Sequence, residues 1–318
     1  MTVQMLLFAL KRLVSAAVVL FAVSILTFLI FVSIPNGDPA LRLAGRTATA
    51  QDIAAVRHAY GFDLPIYQQY LKTMGEILSG SIRSYTQHVS VFSQIERGFP
   101  ATLSLAIGAG IIWMVLGIVF GVLGALRSGK ASDVTITTAS FVGISAPPFV
   151  VGAVLLYFLA FKLHVFPNGG YVPITQDPAS WFGHMILPWF TLSILYIGIY
   201  AQVLRSGVLE VLDMDSVRTA RAKGLSPTRV LLKHVLRLSL IPIISLWGLD
   251  LAAVIGGATV IVEVVFNLNG IGQYLQQSVG ALDVPPVLTL TLFGAFFVVL
   301  ANAVVDVVYA ALDPRIRS

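Results

Sequence analysis

Four stretches of this chain, 13–34, 101–126, 134–161 and 185–204, each run for twenty residues or more without one Asp, Glu, Lys or Arg. A bilayer core about 30 Å thick is crossed by about 20 apolar residues in a helix. Lipid offers no partner for backbone N–H and C=O groups, so runs of this kind cross as helices, which satisfy those groups internally. Two further stretches, 238–262 and Val284–Leu312, qualify with one acid each, Asp250 and Asp306. The expectation is an all-α membrane protein with six transmembrane helices. Composition agrees, since only 11% of the 318 residues are charged against about 25% in a soluble domain. Most of the surface must therefore face lipid.

The first stretch follows Lys11 and Arg12, as a secretion signal would. Its apolar run exceeds the roughly 7–15 residues of a signal core, and no small-x-small cleavage site follows it cleanly. It reads as a retained span. Six spans place both termini on one side. If that side is the cytoplasm, the inner segments hold Lys11, Arg12, Arg127, Lys130, Arg205, Arg218, Arg221, Lys223, Arg229, Lys233, Arg237, Arg315 and Arg317, thirteen of the twenty basic residues. Six more lie in the long segment 35–100, which exceeds the length for which loop charge sets orientation. The short outer loops carry only Lys162. Cytoplasmic termini are expected.

The same asymmetry explains the net charge of +5 and pI near 9.5. Basic residues beside spans orient a membrane protein, and no basic nucleic-acid-reading fold is visible, so no nucleic-acid partner is expected. Chemistry is sparse. The absence of cysteine removes disulfides, thiolate metal sites and cysteine nucleophiles. The five histidines, His58, His88, His164, His184 and His234, show no metal-ligand spacing, and no G-x-S-x-G elbow appears. Gly124 to Lys130 fits G-x-x-x-x-G-K, but Ala131 stands where a magnesium-binding hydroxyl is needed, and the stretch follows a span rather than a strand. It reads as a surface turn, so ATP hydrolysis is not expected of this chain, nor any cofactor or metal of its own.

The chain divides into 1–34 (N-terminus and first span), an extracytoplasmic segment 35–100, and a core 101–318 that includes the cytoplasmic loop 205–237. In the outer segment, Ala50–Tyr60 reads as a helix stopped by Gly61, and 65–78 as a second helix with Pro65 in its first turn. Gly117-x-x-x-Gly121, followed by Gly124, offers a surface for close helix approach. Pro147-Pro148 should bend or break the third span and free backbone carbonyls. That break serves either packing or the lining of a cavity. Asp250, about midway along the fifth span, needs a partner or a wet cavity, because an ionised acid there costs at least ~2.5 kcal/mol. Helix packing and a place on a solute pathway, passing a charged or amino-terminal group, are the two readings. Asp306 lies close to the inner boundary.

The inner loop carries the most pattern. Asp213 and Asp215 sit at the start of a short helix, Lys223 in its last turn and Gly224 at its stop. Ser226-Pro227 opens a second helix. On it Arg229, Lys233 and Arg237 share one face at spacing four, and Leu231, Val235 and Leu238 another. An interfacial element without a partner and a docking element both fit this geometry.

The stretch Arg218-Thr219-Ala220-Arg221-Ala222-Lys223-Gly224, continuing to Pro242, resembles the "EAA" loop of ABC-importer permeases. More narrowly, it is similar to the dipeptide, oligopeptide and nickel permease family in its first-permease, B-type branch. The resemblance extends along nearly the whole chain. It includes Gly37-Asp38-Pro39, Tyr60-Gly61-Phe62-Asp63-Leu64-Pro65, Pro100-Ala101-Thr102-Leu103, Ser145-Ala146-Pro147-Pro148-Phe149, Gly256-Gly257, Val262-Glu263, Asn269-Gly270-Ile271-Gly272 and Leu312-Asp313-Pro314-Arg315. The family pattern is E-A-A-x-x-x-G followed by I-x-L-P. Gly224 and Ala220 match it. Arg218 stands for the glutamate, Thr219 for the first alanine, and His234 and Arg237 for the isoleucine and first proline. The exchange at 218 removes the carboxylate such a loop would otherwise offer.

The resemblance implies a type I importer permease of MetI-like fold, in a bacterial or archaeal plasma membrane, with a small helical extracytoplasmic subdomain. It implies as partners a second, non-identical permease, two ATPase subunits that bind the ATP and magnesium, and an external substrate-binding protein that docks on 35–100. Dipeptides or oligopeptides are the implied cargo, with nickel or another small solute as alternatives. Arg218, Thr219, Ala220, Arg221, Lys223 and Gly224 would form the ATPase-coupling element, with Ala220 as the small residue on its contact face. Asp250, Pro147 and Pro148 are the pathway candidates. A secondary transporter or channel subunit is the alternative of another class.

Overall fold

The computed structural model describes residues 3–33, 38–45 and 47–312. In chain order its helices are α1 (Val3–Ser33), α2 (Pro39–Ala44), α3 (Ala50–Tyr60), α4 (Ile66–Ser79), α5 (Val91–Leu126), α6 (Ala131–Ser145) and α7 (Pro148–Leu155). There follow α8 (Pro178–Leu212), α9 (Asp215–Ala222), α10 (Pro227–Val230), α11 (Leu236–Ala253), α12 (Val260–Val265), α13 (Ile271–Gly280) and α14 (Val284–Leu312). Among the described residues the only β pairing is one antiparallel bridge, Arg83 with Ser90. Five helices or helix runs are long and apolar enough to cross a membrane, and the bent pair α6–α7 makes a sixth crossing when counted as one.

The spine is a pair of parallel helices, α5 and α8. At about 1.5 Å per residue, 36 and 35 residues reach roughly 50 Å each, so both outrun a hydrocarbon core of about 30 Å. Small residues set their approach. A Cβ added at Gly117 would lie 2.5 Å from Tyr200 Cβ, and one at Gly121 2.9 Å from the Ala201 carbonyl oxygen. The Gly117-x-x-x-Gly121 stripe is thus a packing seam, as its spacing predicts. On its other side α8 meets α6 in the opposite sense, with Gly198 against the Ser140 carbonyl and Gly143 against that of Ile194.

The third crossing is broken. Pro147 and Pro148 supply no N–H to the turn before them, and a proline disfavours helical geometry in the residue it follows. Ala146 is accordingly extended (φ −78°, ψ 120°), and the helix axis turns by 98°. The stretch 134–161 is therefore two helices rather than one straight span. The fifth crossing also departs from its expected limits. It begins earlier, at Pro227, and stops at Gly257, whose φ of 135° and ψ of −5° no helix can hold.

The segment between the first two spans is helical as expected. Thr49 and Asp52 form a reciprocal cap at the start of α3, and Gly61 ends it at φ 77°. Helix α4 begins at Ile66 with Pro65 capping, one residue later than the sequence pattern suggests. Tyr70 of α4 hydrogen-bonds Ser24 of α1 at 2.7 Å and meets Phe28 edge-to-face at 5.4 Å, which fastens this segment to the first span. Asp283, buried just before α14, accepts from the Tyr85 and Thr86 backbone N–H groups and from the Ser84 and Thr86 hydroxyls. It pins the segment from the other side.

Candidate functional site

Helix α8 runs from the packed core straight to the loop, and α9 hangs from its end. Val217 and Ala220 point inward and are buried, while Asp215, Ser216, Arg218, Thr219, Arg221, Ala222 and Lys223 are exposed. The placing of Ala220 on an exposed contact face is therefore corrected. Val217 and Ala220, three apart, share the one face that α9 turns to the core. The Arg218–Asp215 pair, 3.7 Å apart with both side chains mostly exposed, adds little to stability.

A Schellman stop ends α9. The Leu225 N–H reaches back to the Ala220 carbonyl and the Gly224 N–H to that of Arg221, with Gly224 at φ 76°. Nothing lies within 4 Å of a Cβ built there, so the demand for glycine is conformational, not steric. Ser226 occupies the N-cap position of α10, but its side chain makes no capping bond. Beyond α10 a π-helical turn, Leu231–Val235, inserts an extra residue into the rise. Arg229, Lys233 and Arg237 remain exposed. Val235 is buried, but Leu238 is exposed, so the expected apolar face of Leu231, Val235 and Leu238 does not survive the added residue.

The turn holding the G-x-x-x-x-G-K match is closed by an ion pair to α8, about two turns before the end that carries α9. Asp133 of α6 accepts two bonds from the Arg205 guanidinium and one from the Gly129 N–H at 3.0 Å. Gly124, the first glycine of the match, is buried inside α5 against Arg205. These glycines serve helix packing and a tight turn.

Asp250 lies on α11, partly exposed, and accepts a 2.7 Å hydrogen bond from the Tyr200 hydroxyl. Tyr200 and Trp113 are fully buried, and Trp113 stacks on Tyr196 with centroids 4.4 Å apart. Pro147 and Pro148 do not join this cluster. They end the helix that packs on Gly198, and Tyr200, two residues further along α8, points to the opposite side. Asp306 falls among residues whose side chains are not described.

Two centres escaped the sequence reading. Asp283 is one. The other is Glu263 of α12, fully buried, which accepts from the Thr102 and Thr259 hydroxyls at 2.7 and 2.8 Å and the Gln273 N–H at 2.9 Å. A Cβ at Gly270 would lie 2.4 Å from its carboxylate. The available signal was an acid in an apolar stretch followed by Gly270 and Gly272.

The described chain is a helical membrane protein with a short, solvent-facing helix at the end of a central span. The chain belongs to the family of binding-protein-dependent transport system inner membrane components, whose model matches residues 117–318, with the corresponding N-terminal model over 5–106. It is 39% identical to the probable peptide ABC transporter permease protein y4tP of Sinorhizobium fredii, over 98% of this chain and 99% of that one. It is 38% identical to the glutathione transport system permease protein GsiC of Salmonella paratyphi A, over the same shares of both chains. Its fold matches a chain of the MetNI methionine ABC transporter in an inward-facing form, with TM-score 0.53 and 18% identity over 70% of this chain and 97% of that one. The protein is thus an inner-membrane permease subunit of an ABC importer, not an enzyme, and works with ATPase and substrate-binding partners. The channel and secondary-transporter alternative falls away.

Proposed function

We propose that this permease imports peptides, paired with a second, non-identical permease, two ATPase subunits and an external binding protein. In this reading the termini are cytoplasmic, the outer segment 35–100 receives the binding protein, and α9 docks into an ATPase cleft. The carrying observation is α9 itself: a short, capped helix with Val217 and Ala220 buried and its other side open, fixed to the end of a membrane-spanning helix. Such an element can transmit displacement because Val217 and Ala220 seat it on the core and a Schellman stop closes its end. Peptide is favoured as cargo by the relatives, which are named for peptide and for glutathione, itself a peptide.

The test is the complete importer reconstituted in liposomes. Thr219→Trp and Arg221→Glu, both on the exposed side, should leave the subunit inserted and folded. They should cut uptake and binding-protein-stimulated ATP hydrolysis about tenfold, as loss of a docking contact worth about 1.4 kcal/mol would. Gly224→Val should do the same through its backbone, whereas Gly224→Asn, which tolerates positive φ, should stay close to normal. Unchanged hydrolysis and uptake in all of the first three would make α9 a surface helix only.

A further inference from the structure

We propose that Asp250 is an ammonium-receptive station on the solute path, where the amino group of a passing cargo is held briefly. The carboxylate sits in the middle of a span, where ionised groups demand compensation. Within the described residues it receives one neutral donor, the Tyr200 hydroxyl. Among the described residues Asp38, Asp133 and Asp215 pair with arginines, and Asp250 is not among them. Its second oxygen has no hydrogen-bond partner among the described residues, so it is open to a donor from outside the chain.

The surroundings suit a cation. Tyr200 is fixed by complete burial, so its hydroxyl holds the carboxylate in one orientation. Behind it the Trp113 indole is fully buried and lies against Tyr200, with ring centroids 6.4 Å apart. The half-buried Tyr196 ring, stacked on Trp113, adds a π face of the kind that attracts ammonium groups. One turn along from Asp250 lie Ala253, which is exposed, and Val254, which is buried. The exposed position of that turn, Ala253, carries only a methyl group. A small charged group can therefore reach it and leave again.

That the ammonium belongs to a peptide rests on the proposed cargo. The station itself is tested without that assumption. Because the chain has no cysteine, Ala253→Cys places a single thiol one turn from Asp250, read by the mass of this subunit in the assembled importer. The probes are aminoethyl methanethiosulfonate, an ammonium, and its sulfonatoethyl counterpart, an anion, with rates normalised to a free thiol in solution. The ammonium reagent should react about tenfold faster, and adding Asp250→Asn should abolish the preference. Equal rates, or no reaction with either, would overturn the station even if the Asn variant failed to assemble. In parallel, Asp250→Asn should lower trialanine uptake about tenfold while stimulated ATP hydrolysis persists, and Asp250→Glu should restore part of it. Unchanged uptake would overturn the role in transport. A reagent preference without trialanine uptake by the unaltered importer would overturn the peptide reading alone.

Discussion

Arg205 of α8 grips Asp133 of α6 through two parallel N–H···O bonds, Nε to Oδ1 at 2.6 Å and Nη2 to Oδ2 at 2.7 Å. The paired, fork-to-carboxylate arrangement is among the strongest a protein can make. Here it ties α6 to α8 about two turns before the end from which α9 projects. Asp133 is almost fully buried, and Arg205 is about one-quarter exposed.

Breaking this pair from one side should cost more than removing it. Arg205→Met leaves the carboxylate with only the Gly129 N–H and should lower stability, by an amount limited by the exposed edge of the arginine. The double variant Arg205→Met, Asp133→Leu should recover most of that. Thermal unfolding of the purified importer in detergent gives the comparison, and equal losses in single and double variants would show that the charge imbalance is not the cause.

The α5–α8 seam predicts a sharp contrast between glycines. Gly121→Val drives its side chain against the Ala201 carbonyl and Leu204, and should destabilise by about 1–3 kcal/mol or prevent assembly. Gly280→Ala meets nothing within 4 Å, sits in the last turn of α13 and should be neutral within about 0.5 kcal/mol. Size-exclusion profiles and melting temperatures of the two variants measure the difference. Equal behaviour would mean that the seam is looser than its distances.

Topology is open to direct labelling. Gln51 in α3 and Ser226 before α10 are both exposed, and the chain has no native thiol. In intact cells an impermeant maleimide should modify Gln51→Cys and spare Ser226→Cys. The reverse pattern would invert the proposed orientation and remove α9 from the ATPase side.

Much of this architecture could be read from the residues because its causes are local. Charge-free length gives the crossings, Gly61 stops α3 through its own φ, and Pro147-Pro148 interrupt their helix by lacking N–H groups. Contacts that depend on how one helix is rotated against another could not be read. A membrane helix is apolar on all sides, so periodicity does not mark the face it buries. Asp133 with Arg205, and Thr102 with Glu263, meet across helices and across long stretches of chain. Ala220 was misplaced for the same reason, because α9 is too short to declare its inner face. The π turn at Leu231–Val235 then displaced Leu238 from the side its spacing suggested. Of the candidate site, the capped loop and Asp250 were legible, but Tyr200, the partner that orients Asp250, was not.

The Glu263 centre has a consequence for how the protein is made. Thr102 leaves the ribosome 161 residues ahead of Glu263, and Gln273 follows ten residues behind it. During synthesis, α5 therefore enters the bilayer long before the acid its hydroxyl will bind exists. When α12 emerges, its carboxylate has Thr259 close by in sequence but lacks both other donors until α5 is alongside and α13 has begun to form. In that interval hydrocarbon is closed to it, and water at the membrane boundary is its remaining solvent. The burial of this one acid therefore joins stretches of chain made at different times, and it is complete only when α5, α12 and α13 are all in place.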